Sequence, residues 1–298
     1  MRTRRALLAV SILAPALALV RWATGQRVLQ DSVVTDVAIP YGEAGGRVQL
    51  LDVYSPPQRE RPRPAVLVIH GGGFVGGSRA DADIVAAARH LTQSGYVAFA
   101  IDYRLVDLTQ PGPAWPAPLD DVQRAVRWVR AHAPAYGVDP ERIGAYGVSA
   151  GAGLAAHLGV RESPEPAEDH LVAFSSRVRC VVALAGPMDG TIPPANPSDV
   201  DVAQALFGGM PTQVPAVYRD ASPAAHVDPG SAPFLVVHGV HDTVVPVAHA
   251  RRMVAALQEA GIAVDYVEDP DAGHDVFAWE RVGARTLSFL GRYLEPDR

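Results

Sequence analysis

Continuous apolar runs alternate along this chain with stretches whose apolar residues recur every three or four positions. Ala65-Val66-Leu67-Val68-Ile69 and Val97 to Ile101 are unbroken runs of the kind found in strands covered on both faces. Ile143 to Tyr146, Arg179 to Ala185, Pro233 to His238 and Ala263 to Val267 read as further strands. Helical spacing appears in Ile84 to Leu91, closed by Ser94-Gly95, and in Leu119, Val122, Val126 and Val129 behind Pro116 and Pro118. Ala150 to Leu158 is a small-residue helix, Val247 to Ala260 another, and Phe277 to Leu294 a closing one. Near the front, Val33 to Ile39 and Val48 to Tyr54 are β-rich segments either side of the turn-forming Gly42 to Gly46 stretch. Strand–helix alternation predicts an α/β fold with a mostly parallel central sheet flanked by helices on both faces. Gly186 to Ala225 breaks the rhythm with many Pro and Gly residues. It is too long for an ordinary connection, which predicts a lid-like insertion over the site or a surface excursion.

The first 25 residues are set apart from that body. Arg2, Arg4 and Arg5 precede a neutral, mostly apolar run from Ala6 to Val20. This layout predicts a signal peptide or N-terminal anchor, a catalytic body (26–298) outside the cytoplasm, and membrane association only through this segment. The body's composition is that of a folded core: 48% of the 298 residues are hydrophobic and 19% charged. Every one of the 26 basic residues is Arg. The absence of Lys removes the phosphate-loop lysine and Schiff-base chemistry. A net charge of −6 with no basic run predicts no nucleic-acid partner. The single cysteine, Cys180, excludes an internal disulfide and cysteine-based metal sites, and its apolar strand context predicts a core position. No His-Glu-x-x-His spacing occurs, so no catalytic metal is expected.

Candidate chemistry concentrates in four places. Gly147-Val148-Ser149-Ala150-Gly151 joins a predicted strand to a predicted helix, a turn that would lift the Ser149 hydroxyl above the sheet edge. His70-Gly71-Gly72-Gly73-Phe74 follows a buried strand, and its glycines can turn backbone N–H groups toward a substrate oxygen. Acyl transfer passes through a tetrahedral oxyanion, for which such donors are often the largest catalytic contribution. Gly72, Gly73 and Ala150 are the candidate donors, and Phe74 is a candidate pocket residue. A serine hydroxyl also needs a base and an orienting carboxylate. His274, on a loop behind the last strand, and Asp242, on the loop leaving the strand before it, fit in position and type. His157, on the post-elbow helix, and His249, at a helix start, read as surface or packing residues.

The order Ser149, Asp242, His274 and the stretches HGGGFVGGS (70–78), DYRL (102–105), WPAPLDDVQRAVRWV (115–129), YGVDPERIGAYGVSAG (136–151), HGVHDTVVP (238–246) and AGHDVF (272–277) carry a family resemblance. The chain resembles α/β-hydrolase carboxylesterases with an HGGG motif, of the BD-FAE-like and hormone-sensitive-lipase-like kinds. The resemblance implies Ser149 as nucleophile, Asp242 as acid, His274 as base, and Gly72, Gly73 and Ala150 as oxyanion donors; some relatives use the N–H at the Phe74 position instead. It also implies hydrolysis of small or short-acyl esters without a cofactor. An amidase, peptidase or acyl transferase on the same residues, and a non-catalytic binder of the same fold, are the competing readings. Of the other conspicuous residues, Asp102 and Arg104 are expected to form a sheet-edge ion pair or polar network. Asp120 and Asp121 are expected to face a helix N-terminus. His70 should shape its loop, Trp128 and Trp279 should pack, and Trp115 is a candidate for the pocket wall.

Overall fold

The computed structural model describes residues 27–30, 33–57, 61–109, 114–162 and 171–295. The segment expected to be a signal or anchor, residues 1–25, lies outside the described residues.

Among the described residues, nine strands form one sheet: β1 (Arg27–Gln30), β2 (Val33–Ala44), β3 (Arg47–Ser55), β4 (Arg63–Ile69), β5 (Val97–Ile101), β6 (Val138–Val148), β7 (Val181–Leu184), β8 (Phe234–Gly239) and β9 (Val264–Asp269). Their order is β1-β2-β3-β5-β4-β6-β7-β8-β9. The pairs β1/β2, β2/β3 and β3/β5 are antiparallel, and every later pair is parallel. Helices α1 (Ala82–Gln93), α2 (Ala117–Tyr136), α3 (Ala150–Val160), α4 (Pro197–Phe207), α5 (Pro215–Asp220), α6 (Ala248–Glu259) and α7 (Trp279–Leu294) complete the described fold.

Side-chain alternation along the strands decides which helix covers which face. On β4, Ala65, Leu67 and Ile69 pack into one core with apolar residues of α2, α3 and α6. Val66 and Val68 point the other way, into a core closed by α1 and α7. Because both faces are buried, every second position had to be apolar on each side, and the strand reads as a continuous apolar run. This is the α/β-hydrolase arrangement expected from the sequence.

Several local features add to or depart from the sequence reading. The front hairpin turns on Gly45 and Gly46 alone, both at positive φ, and β2 runs through Ala44. A two-residue turn with both residues left-handed matches the twist of the flanking strands, so the longer turn is unnecessary. Strand β1, unpredicted, is only four residues long, too short to show a period. Of the two forms expected for Asp102 and Arg104, the structure shows the polar network and not a mutual ion pair. Asp102 takes the Arg79 guanidinium and the Arg79 N–H at 2.8 Å, while Arg104 donates Nε and its N–H to Asp121, both at 2.8 Å. Asp121 is fully buried, so it serves this network and not the helix dipole.

Candidate active site

The turn at Ser149 is a consequence of close packing. Backbone angles at Ser149 are φ 53°, ψ −123°, a region that costs a non-glycine residue of order 1–3 kcal/mol. The chain sustains it because β6 and α3 meet with almost no separation. A Cβ at Gly147 would lie 2.2 Å from the Gly151 carbonyl oxygen, and one at Gly151 would lie 2.3 Å from that of His70. Only glycine fits at either place. Helix α3 is buried along its whole length, which explains its small residues.

The acid and base loops are registered against one another by backbone hydrogen bonds. Val240 N–H donates to Asp269 O at 2.9 Å and His241 N–H to Ala272 O at 3.0 Å. This sets Asp242 against His274, whose Nδ1 lies 2.8 Å from Asp242 Oδ2, while its Nε2 lies 2.9 Å from Ser149 Oγ. The three residues singled out from sequence thus form one hydrogen-bonded line. Val244 and Val245 N–H each donate to Asp242 Oδ1 at 2.8 Å, and His238 Nε2 approaches Oδ2 at 3.2 Å. Burial alone would raise the Asp242 carboxyl, but the hydrogen bonds from His238, His274 and the two amides outweigh it and hold the group far below the usual carboxylate range. Asp242 is therefore an anion next to the imidazole.

The glycine loop faces Ser149. Gly72 (φ 104°), Gly73 (φ 61°) and Phe74 (φ 66°) are successive left-handed residues. The loop's carbonyls are engaged within the protein: Tyr103 Oη donates to those of His70 and Gly71, His70 Nδ1 lies 2.7 Å from Gly71 O, and the Val75 and Gly76 amides donate to Gly72 O. The buried His70 ring stacks on Tyr103 with centroids 4.2 Å apart, so it shapes the loop as expected. Among the described residues, the amides of Gly72, Gly73 and Ala150 donate to no protein acceptor, and all three residues line the cavity at Ser149.

That cavity has a volume of about 530 Å³. Phe74 and Trp115 lie in its wall, as anticipated. The 186–225 segment is no featureless excursion: it carries α4 and α5, and Val202, Leu206, Phe207 and Tyr218 line the cavity. Trp115 joins the segment to the body through its N–H to Leu206 O at 2.8 Å and its Nε1 to Asp220 Oδ2 at 2.7 Å. Cys180 is buried in the core, and burial pushes its thiol up, away from nucleophilic use.

Sequence reasoning undervalued two histidines. His157 and His249 are not on the surface: they are 1% and 6% exposed, and both line the cavity. A helix-start His and a mid-helix His carry no local mark of this, because the wall opposite them comes from 186–225. Burial lowers both, His157 well below the ordinary 6.5 with help from the Arg161 charge, and His249 to about 4 with help from His238. In the unfolded chain each takes a proton near pH 6.5, so between that pH and about 4 the unfolded state binds more protons. Folding stability should therefore fall as pH drops from about 6.5, by up to about 1.4 kcal/mol per pH unit for each histidine. Urea midpoints at pH 7, 6 and 5 check this; a midpoint that rises toward acid would contradict it.

Comparison with known proteins places this geometry. Residues 51–257 match the BD-FAE family, well over half of the chain. The chain belongs to the BD-FAE family. This BD-FAE member is 34% identical over 244 residues to Esterase LipC of Mycobacterium tuberculosis, covering 80% of this chain and 59% of that protein. It is 34% identical over 268 residues to Esterase LipQ of the same organism, covering 85% and 61%. The chain thus spans about three fifths of the length of these curated relatives. Among solved structures, a truncated carbohydrate esterase from gut microbiota superposes with TM-score 0.77 at 24% identity, covering 91% of this chain and all of that one. Thermogutta terrifontis esterase Est2 gives TM-score 0.72 at 26% identity, covering 90% and 95%. The first of these speaks to the fold; the mycobacterial relatives carry the family.

Proposed function

We propose that this BD-FAE member is a serine carboxylic ester hydrolase acting on small, short-acyl esters through an acyl-enzyme. The observation that carries the reading is the hydrogen-bonded line Asp242–His274–Ser149, ending beside amides that, among the described residues, donate to no protein acceptor. In this reading Ser149 Oγ attacks the ester carbonyl while His274 Nε2 takes its proton. Asp242 accepts from His274 Nδ1 and stabilises the imidazolium. Gly72, Gly73 and Ala150 N–H groups receive the oxyanion. His274 then returns the proton to the leaving alcohol, and water, activated by the same imidazole, releases the acid. Every group needed belongs to this chain, so the cycle closes without a cofactor.

Two kinds of relative support the substrate class. LipC and LipQ are named as esterases, and Est2, 25% identical in its complex, has been solved with butyrate bound. A cavity of about 530 Å³ takes a whole small ester, acyl and alcohol parts together. The test is hydrolysis of p-nitrophenyl acetate, butyrate and octanoate, with matched p-nitroanilides beside them. Higher kcat/KM on acetate or butyrate than on octanoate is expected, with anilides far slower. A best substrate of eight carbons would overturn the short-acyl part, and anilides cleaved as fast as esters would move the reading to an amidase.

A further inference from the structure

His249 stands in the first turn of α6, and its ring forms part of the cavity wall. The backbone N–H groups of Met188 and Asp189 both donate to its Nδ1, each at 3.2 Å. A backbone amide can only donate, so Nδ1 carries the lone pair and Nε2 carries the proton. The tautomer is therefore dictated by the main chain. Among the described residues Nε2 hydrogen-bonds to nothing, and it is absent from the fully enclosed side-chain atoms that lack a partner. Its open edge belongs to a residue otherwise buried and lining the cavity. Burial keeps the ring neutral near pH 7. His157, on the same cavity, differs: its Nε2 is spent on Ala221 O and its Nδ1 is enclosed.

The cavity that His249 lines is mostly apolar, with Ile192, Val202, Leu206, Phe207 and Val245 among its wall residues. An unpaired N–H on a residue of a mostly apolar wall is left without a partner by a plain alkyl group and satisfied by an oxygen, which is how a pocket discriminates between close analogues. The proposed mechanism does not use this donor.

We propose that His249 is a specificity-determining residue whose Nε2–H donates to a second oxygen, a hydroxyl or ether carried by the ester beyond the scissile group. The substrate class is then oxygenated small esters, such as those of polyols or of alkoxy and hydroxy acids, over alkyl esters. The inference rests on the esterase reading for its substrate and on the tautomer for its geometry.

The test uses pairs in which an oxygen replaces one methylene. The acyl-side pair is p-nitrophenyl methoxyacetate against p-nitrophenyl butyrate; the alcohol-side pair is 2-methoxyethyl butyrate against butyl butyrate. His249→Asn keeps a side-chain oxygen for the Met188 and Asp189 amides and removes the far N–H. The oxygenated-to-alkyl ratio of kcat/KM should fall about tenfold in the variant for one pair, and that pair identifies the side on which the oxygen lies. Ratios that hold in both pairs, whatever the absolute rates do, overturn the proposal. A second measurement works without turnover. In Ser149→Ala protein labelled with 15N-histidine, an oxygenated ester should shift the His249 Nε2 resonance and its alkyl isostere should not. No selective shift with either oxygenated ester overturns the proposal. Wild-type protein that hydrolyses none of the four esters removes the esterase reading while this result still decides the role of the donor.

Discussion

Ser149→Ala should lower ester hydrolysis by roughly 10⁴- to 10⁶-fold, because nucleophile and base act as a unit and the loss of either removes nearly all that the set provides. Ser149 Oγ lies 2.9 Å from His274 Nε2, and the variant leaves that nitrogen with nothing to deprotonate except water. Residual turnover would come from the cavity and the amides of the glycine loop. Ala adds no atoms, so the φ 53° turn is under no new pressure and the unfolding midpoint should barely move. Mass spectrometry gives an independent reading. An ester-stalled or organophosphorus adduct on the wild-type protein should be absent from the variant. Turnover within tenfold of wild type would show that another group attacks the carbonyl.

Asp242→Asn should cost nearly as much, about 10⁴-fold in kcat, and for a different reason. The Oδ1 atom of Asp242 is fixed by the amides of Val244 and Val245, so an asparagine would place its oxygen there. Its NH₂ would then occupy the Oδ2 position and point donors at His274 Nδ1, which is 2.8 Å away, and at His238 Nε2. His274 could accept only by moving its proton to Nε2, the nitrogen that must take the serine proton. The base is thereby disabled with its position unchanged. The site would also lose a buried anion whose ionised form the fold favours. That contribution is fully present above the unfolded carboxyl's pKa near 4 and is lost only as pH falls through the much lower folded value. The wild-type protein's dependence on that ionisation should vanish from the variant's acid unfolding curve. A variant within a hundredfold of wild type would remove Asp242 from the catalytic line.

The strands of the double-faced sheet and the strand–turn–helix at Ser149 were legible because each leaves a local mark. A strand buried on both sides must be apolar throughout, as β4 and β5 are. A turn as tight as 147–151 must carry glycine where strand and helix touch. Ser149, Asp242 and His274 were legible for a related reason: each follows the carboxyl end of a recognisable strand. Ends of parallel strands gather at one edge whatever the intervening chain does.

What the sequence left undecided depended on partners far along the chain. Asp102 and Arg104, two positions apart, left an ion pair and a wider polar network both open; the structure gives the network, with Arg79 and Asp121 as the partners. The 186–225 segment left a lid-like insertion and a surface excursion both open; its helices, with residues lining the cavity beside α3, α6 and Trp115, are what the tertiary structure added. His249 is the clearest case. Its tautomer depends on two amides some 60 residues earlier in the chain, and its value as a donor depends on a wall built by a third segment. The sequence by itself determined the layered sheet, the tight turn at Ser149 and the order of Ser149, Asp242 and His274 along the strand ends, because backbone geometry imposes those patterns on neighbouring positions. Only the tertiary structure decided which polar groups pair and which stay without a partner among the described residues. Burial and hydrogen-bond satisfaction are properties of what folds against a residue, and they leave no period in the chain.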